Sequence, residues 1–167
     1  TGMVGMHGSH ASNMATAECD LLIAIGCRFS DRVATHPASF AQNAKIVQID
    51  IDRAEIDKNV QTCHHIIGDA RRVLELLNEN LPPHDYTAWK AQVFARKELP
   101  LKKDGVLHPH EILETISDLT DGDAIIATDV GQHQMWSCQY YHFSRPGQLL
   151  TSGGFGTMGF GLGAAMG

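Results

Sequence analysis

The sequence lacks the features that mark several large classes of protein. Its four cysteines form no C-x-x-C pair and its ten histidines show no H-E-x-x-H spacing, so we expect neither a disulfide framework nor a metal site in this chain. No run of about 18 apolar residues is present, and no basic segment precedes an apolar one at the N-terminus. The net charge of −6 disfavours a nucleic-acid-binding surface. We therefore expect no membrane and no nucleic-acid partner.

The composition is that of an ordinary folded protein, with 43% hydrophobic and 19% charged residues. Two of the cysteines lie in apolar runs, which favours buried, reduced thiols and a cytoplasmic location, most simply in a prokaryote. The chain has no initiator methionine and stops within an apolar, small-residue pattern. We therefore expect it to be a piece of a larger protein.

The first half of the sequence predicts strands of a parallel sheet. Leu21–Ile25 is a continuous apolar run, which is typical of a strand buried on both faces. Lys45–Ile51 repeats the strand signal and is closed by Asp50 and Asp52, and "HHIIGD" predicts a third, shorter strand. Residues 12–19 and 37–42 have helical character, and Asp69 is placed to cap a helix over "ARRVLELLNENL". Strands that alternate with helices indicate an α/β fold.

The second half predicts another α/β unit. Leu81-Pro82-Pro83 ends the first pattern, and a polar connection with a helix at about Tyr86–Leu99 follows. Then come a helix over "HPHEILETISDL", a buried strand "DAIIATD", a helix over "GQHQMWSCQYY" and a strand "GQLLTS". We predict two partial parallel-sheet domains over residues 1–81 and 106–167, joined by a linker over residues 82–105.

Charged residues follow the first predicted strand, at the position where open parallel sheets bind ligands. Gly26 permits close approach of the backbone, and Arg28 and Arg32 offer planar cations to a phosphate. Asp31 can orient one of these arginines. The alternative is a surface loop with an ion pair worth about 0–1 kcal/mol.

Acidic residues follow the second strand in "IDIDRAE". Asp50, Asp52 or Glu55 can accept hydrogen bonds from ribose hydroxyls at such a strand end. The alternative is a capping box of Asp52 and Glu55. Both interpretations can hold together.

Two further segments have the geometry of anion sites. In "GMHGSHASN", His7 lies in a glycine-rich loop before a helix, although a single histidine there is more often structural. In "TDVGQHQMW", a strand and a glycine lead directly into a helix N-terminus, which favours a diphosphate. The alternative for this second segment is an ordinary turn between strand and helix.

The final segment, "TSGGFGTMGFGLGAAMG", contains a G-x-G-x-x-G spacing at Gly154–Gly159. This motif alone is weak evidence for a dinucleotide site. The glycines and alanines that continue after Gly156 favour a closely packed helix instead. Met158 within it would ordinarily fill a core.

These segments together closely resemble the catalytic subunit of acetohydroxyacid (acetolactate) synthase, a thiamine-diphosphate enzyme of branched-chain amino-acid biosynthesis. The resemblance lies in "GMHG", "ECDLLIAIGCRFSDRV", "AKIVQIDIDRAEI", "TDVGQHQMW" and the glycine-rich end, in family order over nearly the whole chain. It implies the second half of an FAD-binding, Rossmann-like middle domain, followed by the start of the thiamine-diphosphate domain. The R-F-x-D-R signature implies FAD, because the FAD-independent catabolic enzymes lack it. Ser30 stands where many members have another aspartate.

The resemblance also implies which residues meet each cofactor. The expected FAD contacts are His7, Gly8, Gly26, Arg28, Asp31, Arg32, Val33, Asp50, Ile51, Glu55 and Asp69. The expected thiamine-diphosphate contacts are Val130, Gly131, Gln132, His133, Gly156 and Met158. Of these, the Gly156 carbonyl would accept a hydrogen bond from the aminopyrimidine, and Met158 would hold the cofactor in its bent conformation. The resemblance thus implies that Gly156 and Met158 both act in cofactor activation.

The implied reaction is decarboxylation of pyruvate, followed by addition of the two-carbon unit to pyruvate or 2-oxobutyrate. The family's activating glutamate and its Mg²⁺ ligands fall outside this chain, and the active site forms between two subunits, so we expect the isolated chain to be inactive. A homodimer or homotetramer is implied, and a regulatory subunit is a possible partner. The alternatives are a non-catalytic nucleotide-binding module and a sister enzyme, either glyoxylate carboligase or an oxo-acid decarboxylase.

Overall fold

The computed structural model describes residues 1–97 and 104–167. These residues form two compact units. The first contains Thr1, Met3–Gly5 and His10–Lys97, and the second contains Gly2, Met6–Ser9 and residues 104–167. The predicted helix end at Leu99 lies outside the described residues.

The first unit is built on a three-stranded parallel sheet. Its strands lie in the order β1-β2-β3, with Leu21 opposite Lys45 and Val47 opposite His64. The three predicted strands and their parallel arrangement are confirmed. The elements of this unit are α1 (His10–Glu18), β1 (Leu21–Ile25), β2 (Lys45–Asp50), β3 (His64–Ile67), α2 (Ala70–Asn80) and α3 (Thr87–Ala95).

Local capping explains where the helices of this unit begin. The Asp69 carboxylate accepts a hydrogen bond from the Arg72 amide at 3.0 Å, so the predicted cap of α2 is confirmed. The helix predicted over residues 37–42 is only a 3₁₀ turn at Pro37–Ser39, because Phe40 already has an extended backbone. An ion pair of 2.6 Å between Glu18 and Arg96 holds the end of α3 near α1.

The core of the first unit lies on one face of the sheet. Six buried side chains form it: Ala24, Phe29, Ala34, Ala41, Ile46 and Val60. On the opposite face of β1, Leu21, Ile23 and Ile25 are 49%, 47% and 39% exposed. The prediction that β1 is buried on both faces is therefore wrong for this chain. The reason is that side chains alternate along a strand, and burial of this second face falls on β2, where Ile49, paired with Ile25, is 1% exposed.

The second unit has shorter strands than the sequence predicts. Its elements are α4 (Pro109–Leu119), β4 (Ile126–Ala127), α5 (Gln132–Tyr140), β5 (Leu149–Leu150) and α6 (Phe160–Met166), with β4 and β5 parallel. The strand predicted over residues 123–129 is two residues long and half-buried, and Ile125 is 58% exposed. A buried strand here is wrong because β4 pairs only with the two residues of β5 in the described ranges. None of the described helices is both long and apolar enough to cross a membrane.

The four cysteines are free, as the sequence predicts. Cys63 is exposed and the other three are half-buried, so the expectation of fully buried thiols is wrong. Burial still raises the pKa of the Cys138 thiol, which keeps it protonated at neutral pH.

Candidate functional site

The carboxyl ends of the three strands of the first unit meet at one edge of the sheet. Gly26, after β1, donates its amide to Ile49 at 2.9 Å, and Gly68, after β3, donates to Asp50 at 2.9 Å. The backbone of Asp50 and Asp69 therefore lies along the same edge as that of Gly26. This is the edge at which parallel sheets bind ligands.

The R-F-x-D-R loop leaves this edge and is anchored by its phenylalanine. Phe29 is 3% exposed, has a positive φ of 48° and packs edge-to-face against Phe40 with 5.6 Å between ring centroids. Arg28 and Arg32 are exposed, and Arg32 forms an ion pair with Asp31. The sequence predicted this loop from its charges and missed Phe29, the residue that fixes its shape.

The glycine-rich segment before α1 packs against the same loop. Gly5 has a φ of +90°, and a Cβ there would collide with the Arg32 carbonyl and lie 2.6 Å from Val33 Cα. The Asn13 side chain accepts from the Gly5 amide at 2.7 Å and donates to its carbonyl at 3.0 Å. Asn13 was not predicted, although an asparagine early in a helix after a glycine-rich loop is a usable signal.

The acids after β2 serve local turns. The Asp50 carboxylate accepts from the Asp52 amide at 2.9 Å, Asp52 accepts from Ala54 at 2.8 Å, and Glu55 pairs with Lys58 at 2.6 Å. Asp52 is thus a cap, but the predicted capping box with Glu55 is wrong, because Asp50 takes the amide that the box would use. Each carboxylate retains further acceptor positions.

Two buried oxygens near these acids lack a hydrogen-bond partner among the described residues: Gln48 Oε1 and Glu55 Oε2. Gln48 is fully buried, and its amide nitrogen donates to the carbonyls of Cys27 and Glu55, both at 3.1 Å. Buried acceptors of this kind normally meet a donor. This part of the sheet edge is therefore suited to a hydrogen-bond donor.

In the second unit, the N-terminus of α5 is open. Gly131 precedes the helix with a φ of 142°, and no side chain caps the first turn. Gln132 and His133 are exposed there. The uncapped amides carry the positive end of the helix dipole, which suits a phosphate group.

The glycine-rich segment lies beside this helix start. A Cβ on Gly156 would lie 3.9 Å from the Val130 side chain, and a Cβ on Gly161 would lie 2.7 Å from the Asp129 amide. Met158 is 82% exposed. Of the residues predicted for thiamine diphosphate, the structure therefore brings Gly156 close to Val130, and the close packing predicted for the final helix is confirmed at Gly161.

Asp129 connects these two segments and was not among the predicted site residues. Its carboxylate accepts from the Val130 amide at 2.8 Å and from the Gly159 amide at 2.8 and 3.0 Å. The hydrogen bond from Val130, with that from Gly159, lowers the pKa of Asp129. An acid at a strand end, two residues before the glycine that precedes α5, was the available signal.

His7 and Gly8 belong to the second unit, and the other residues predicted for FAD belong to the first. His7 Nε2 is 3.3 Å from Gln134 Oε1, and Gln139 donates to the Gly8 carbonyl at 3.1 Å. Gln134 is buried and also donates to Thr151 at 2.6 Å. The structure therefore places these two residues beside α5.

Comparison with protein families matches both parts of the chain. The central domain of thiamine pyrophosphate enzymes matches residues 1–77, and the C-terminal, TPP-binding domain of these enzymes matches residues 129–167. The two matches occur in one chain and in this order. Both parts of the chain are therefore similar to domains of thiamine pyrophosphate enzymes.

Comparison with individual proteins shows which thiamine pyrophosphate enzymes the chain is similar to. The chain is 48% identical to the acetolactate synthase large subunit of Lactococcus lactis, 46% to chloroplastic acetolactate synthase 2 of Nicotiana tabacum, and 43% to the large subunit of acetolactate synthase isozyme 2 of Escherichia coli. Each comparison covers 99% of this chain, and 30%, 26% and 30% of the relative. The chain is therefore homologous to acetolactate synthases throughout, and spans under a third of their length.

Proposed function

We propose that this chain is part of an acetolactate synthase. The enzyme decarboxylates pyruvate and joins the two-carbon unit to a second pyruvate or to 2-oxobutyrate, in the biosynthesis of valine, leucine and isoleucine. The observation that carries the proposal is the identity of 43–48% with acetolactate synthases along 99% of this chain. Neither the nucleotide-binding module nor a sister enzyme has a comparable observation in its favour.

The second unit holds thiamine diphosphate in this proposal. This cofactor supplies the stabilised carbanion that decarboxylation and carbon–carbon bond formation require. The uncapped first turn of α5, with Val130, Gly131, Gln132 and His133, binds the diphosphate. Gly156 and Met158 meet the organic part of the cofactor, and the exposure of Met158 leaves its side chain available for that contact.

The first unit holds FAD in a Rossmann-like manner in this proposal. Support comes from the parallel sheet and from the charged residues at the carboxyl end of its strands. Arg28 and Arg32 have exposed guanidinium groups for the phosphates, and Asp50 keeps acceptor positions for ribose hydroxyls. The remaining proposed contacts of the first unit are Gly26, Asp31, Val33, Ile51, Glu55 and Asp69.

His7 and Gly8 complete the proposed FAD contacts. Both belong to the second unit, where they contact the Gln134 and Gln139 side chains of α5. The middle domain extends to residue 81 and the thiamine-diphosphate domain begins at residue 106 in this proposal.

The proposed enzyme uses Mg²⁺ with the diphosphate, and we assign the metal ligands to parts of the subunit other than this chain. It acts as a homodimer or homotetramer. The relatives from Lactococcus lactis and Escherichia coli are named large subunits, which supports a second, smaller regulatory subunit. The four free thiols favour a cytoplasmic location.

Product analysis with the full-length enzyme tests the proposal. With labelled pyruvate, thiamine diphosphate, Mg²⁺ and FAD, we expect carbon dioxide and acetolactate. Acetaldehyde as the main product would indicate a decarboxylase, and unchanged pyruvate would favour the non-catalytic module. Flavin absorbance of the purified enzyme tests the FAD site separately, and a colourless protein that does not take up added FAD would contradict it.

A further inference from the structure

The side chain of Asp129 spans the two backbone segments of the proposed thiamine-diphosphate site. It follows β4 and directly precedes Val130, where the turn into α5 begins. Its Oδ1 accepts from the Val130 amide at 2.8 Å, and both oxygens lie within 3.0 Å of the Gly159 amide nitrogen. One carboxylate therefore contacts both the diphosphate turn and the glycine-rich segment.

The hydrogen bond from the Gly159 amide to Asp129 affects the position of the neighbouring residues in the glycine-rich segment. Gly159 follows Met158 directly and has a φ of +88°, a conformation that glycine adopts readily. Before Met158, the Gly156 and Thr157 amides donate to the Ser152 carbonyl and hydroxyl, both at 3.0 Å. The side chains of Phe155 and Met158 are 99% and 82% exposed. The position of Met158 therefore depends strongly on the bond between Gly159 and Asp129.

Packing on the other side of Gly159 limits how the segment can adjust. Gly161 is buried with its Cα against the backbone of Thr128 and Asp129, because a Cβ there would lie 2.7 Å from the Asp129 amide. The segment is thus held by the Asp129 carboxylate, which accepts hydrogen bonds from the Gly159 and Gly161 amides, and by close backbone packing at Gly161. Loss of the carboxylate removes these hydrogen bonds and leaves only the packing at Gly161.

We propose that Asp129 is a positioning residue, whose carboxylate sets Gly156 and Met158 relative to the N-terminus of α5. The inference rests on the proposed function, since it assigns these two segments to one cofactor. Asp129 itself need not touch the cofactor. It acts through the Gly159 and Val130 amides.

The test uses three variants of the full-length enzyme. Asp129→Ala removes the hydrogen bonds from the Val130, Gly159 and Gly161 amides, and Asp129→Asn keeps an oxygen that can accept from the Val130 and Gly159 amides. Asp123→Ala is the matched control, because Asp123 is an exposed acid near β4 whose carboxylate pairs with Arg145 at 3.0 Å. Three quantities are measured: the dissociation constant of thiamine diphosphate, the rate of deuterium exchange at its thiazolium C2 by proton NMR, and kcat with the pyruvate KM.

We expect Asp129→Ala to slow C2 exchange and kcat by about tenfold to a hundredfold, because misplacement of a positioned group by about 1 Å has effects of that size. The pyruvate KM changes little. Asp129→Asn recovers at least a third of the lost exchange rate, and Asp123→Ala matches the parent enzyme. This pattern supports the positioning role, since a general loss of folding would not be restored selectively at C2.

Several outcomes overturn the inference. One is Asp129→Ala with C2 exchange at the parent rate, whether or not its thermal stability falls. Another is loss of exchange in Asp123→Ala to the same degree. If Asp129→Ala does not fold, a fourth variant, Asp129→Ser, decides, because its shorter side chain cannot reach the Gly159 amide: slower C2 exchange in the folded variant supports the role, and the parent rate contradicts it. A parent enzyme that binds no thiamine diphosphate refutes the proposed function instead.

Discussion

Two glycines of α6 should respond in opposite directions to the same substitution. A Cβ on Gly161 would lie 2.7 Å from the Asp129 amide nitrogen and 2.8 Å from the Thr128 carbonyl carbon, both backbone atoms. Nothing lies within 4 Å of a Cβ on Gly163. We therefore expect Gly161→Ala to destabilise the second unit and Gly163→Ala to stabilise it or leave it unchanged.

The magnitudes follow from the contacts. To reach the ordinary contact distance of 3.4 Å, α6 and the end of β4 must separate by about 0.7 Å at Gly161. Overpacking of this kind lowers the free energy of unfolding by about 1–3 kcal/mol. At Gly163 alanine gains up to about 1 kcal/mol of helix propensity, since the backbone there is helical and unobstructed.

Urea denaturation, followed by the fluorescence of Trp136 in α5, measures both variants in the second unit. The two free energies of unfolding should differ by about 1–4 kcal/mol, with Gly161→Ala the less stable. A difference below about 0.5 kcal/mol, the usual range of surface substitutions, would refute the close approach of α6 to β4.

Three further predictions concern the first unit and one control glycine. Gly5→Ala should cost at least about 2 kcal/mol more than Gly147→Ala, because both have positive φ but only Gly5 meets backbone atoms; equal thermal shifts would contradict this. Phe29→Ala should lower the free energy of unfolding by about 3–5 kcal/mol in urea, and a loss under about 1 kcal/mol would contradict its anchoring role. The amide and hydroxyl of Thr62 lower the pKa of Asp57, so its stabilising contribution is present above the ordinary aspartate pKa and is lost as the pH falls through the lowered value. Asp57→Asn should flatten the loss of stability on acidification, and parallel stability curves of variant and parent would disprove it.

The order and type of the elements followed from the sequence where the apolar runs were long. Leu21–Ile25 and Lys45–Asp50 have the boundaries that their runs indicate, to within one residue, and Asp69 caps the helix it precedes. The burial of β1 did not follow from the sequence. A continuous apolar run indicates a strand covered on both faces, but one face of β1 stays exposed, and burial of that face falls on Ile49 of β2.

The candidate site followed from the sequence where a functional group is itself the signal. Arg28 and Arg32 were visible as charges, and Gln132 as a polar residue at a helix start. Other site residues act through tertiary contacts. Phe29 packs its ring in the core, Asn13 hydrogen-bonds the Gly5 backbone, and Asp129 accepts from the amide of Gly159, 30 positions along the chain. Such contacts depend on tertiary packing rather than on a local motif.

The second unit as a thiamine-diphosphate site is the central claim, and hydrogen–deuterium exchange of the full-length enzyme tests it most directly. Addition of thiamine diphosphate with Mg²⁺ should slow amide exchange in peptides that cover residues 130–140 and 152–160. A peptide covering α2 should be unaffected. Binding of the cofactor with no change in exchange at either of the first two regions would contradict the claim.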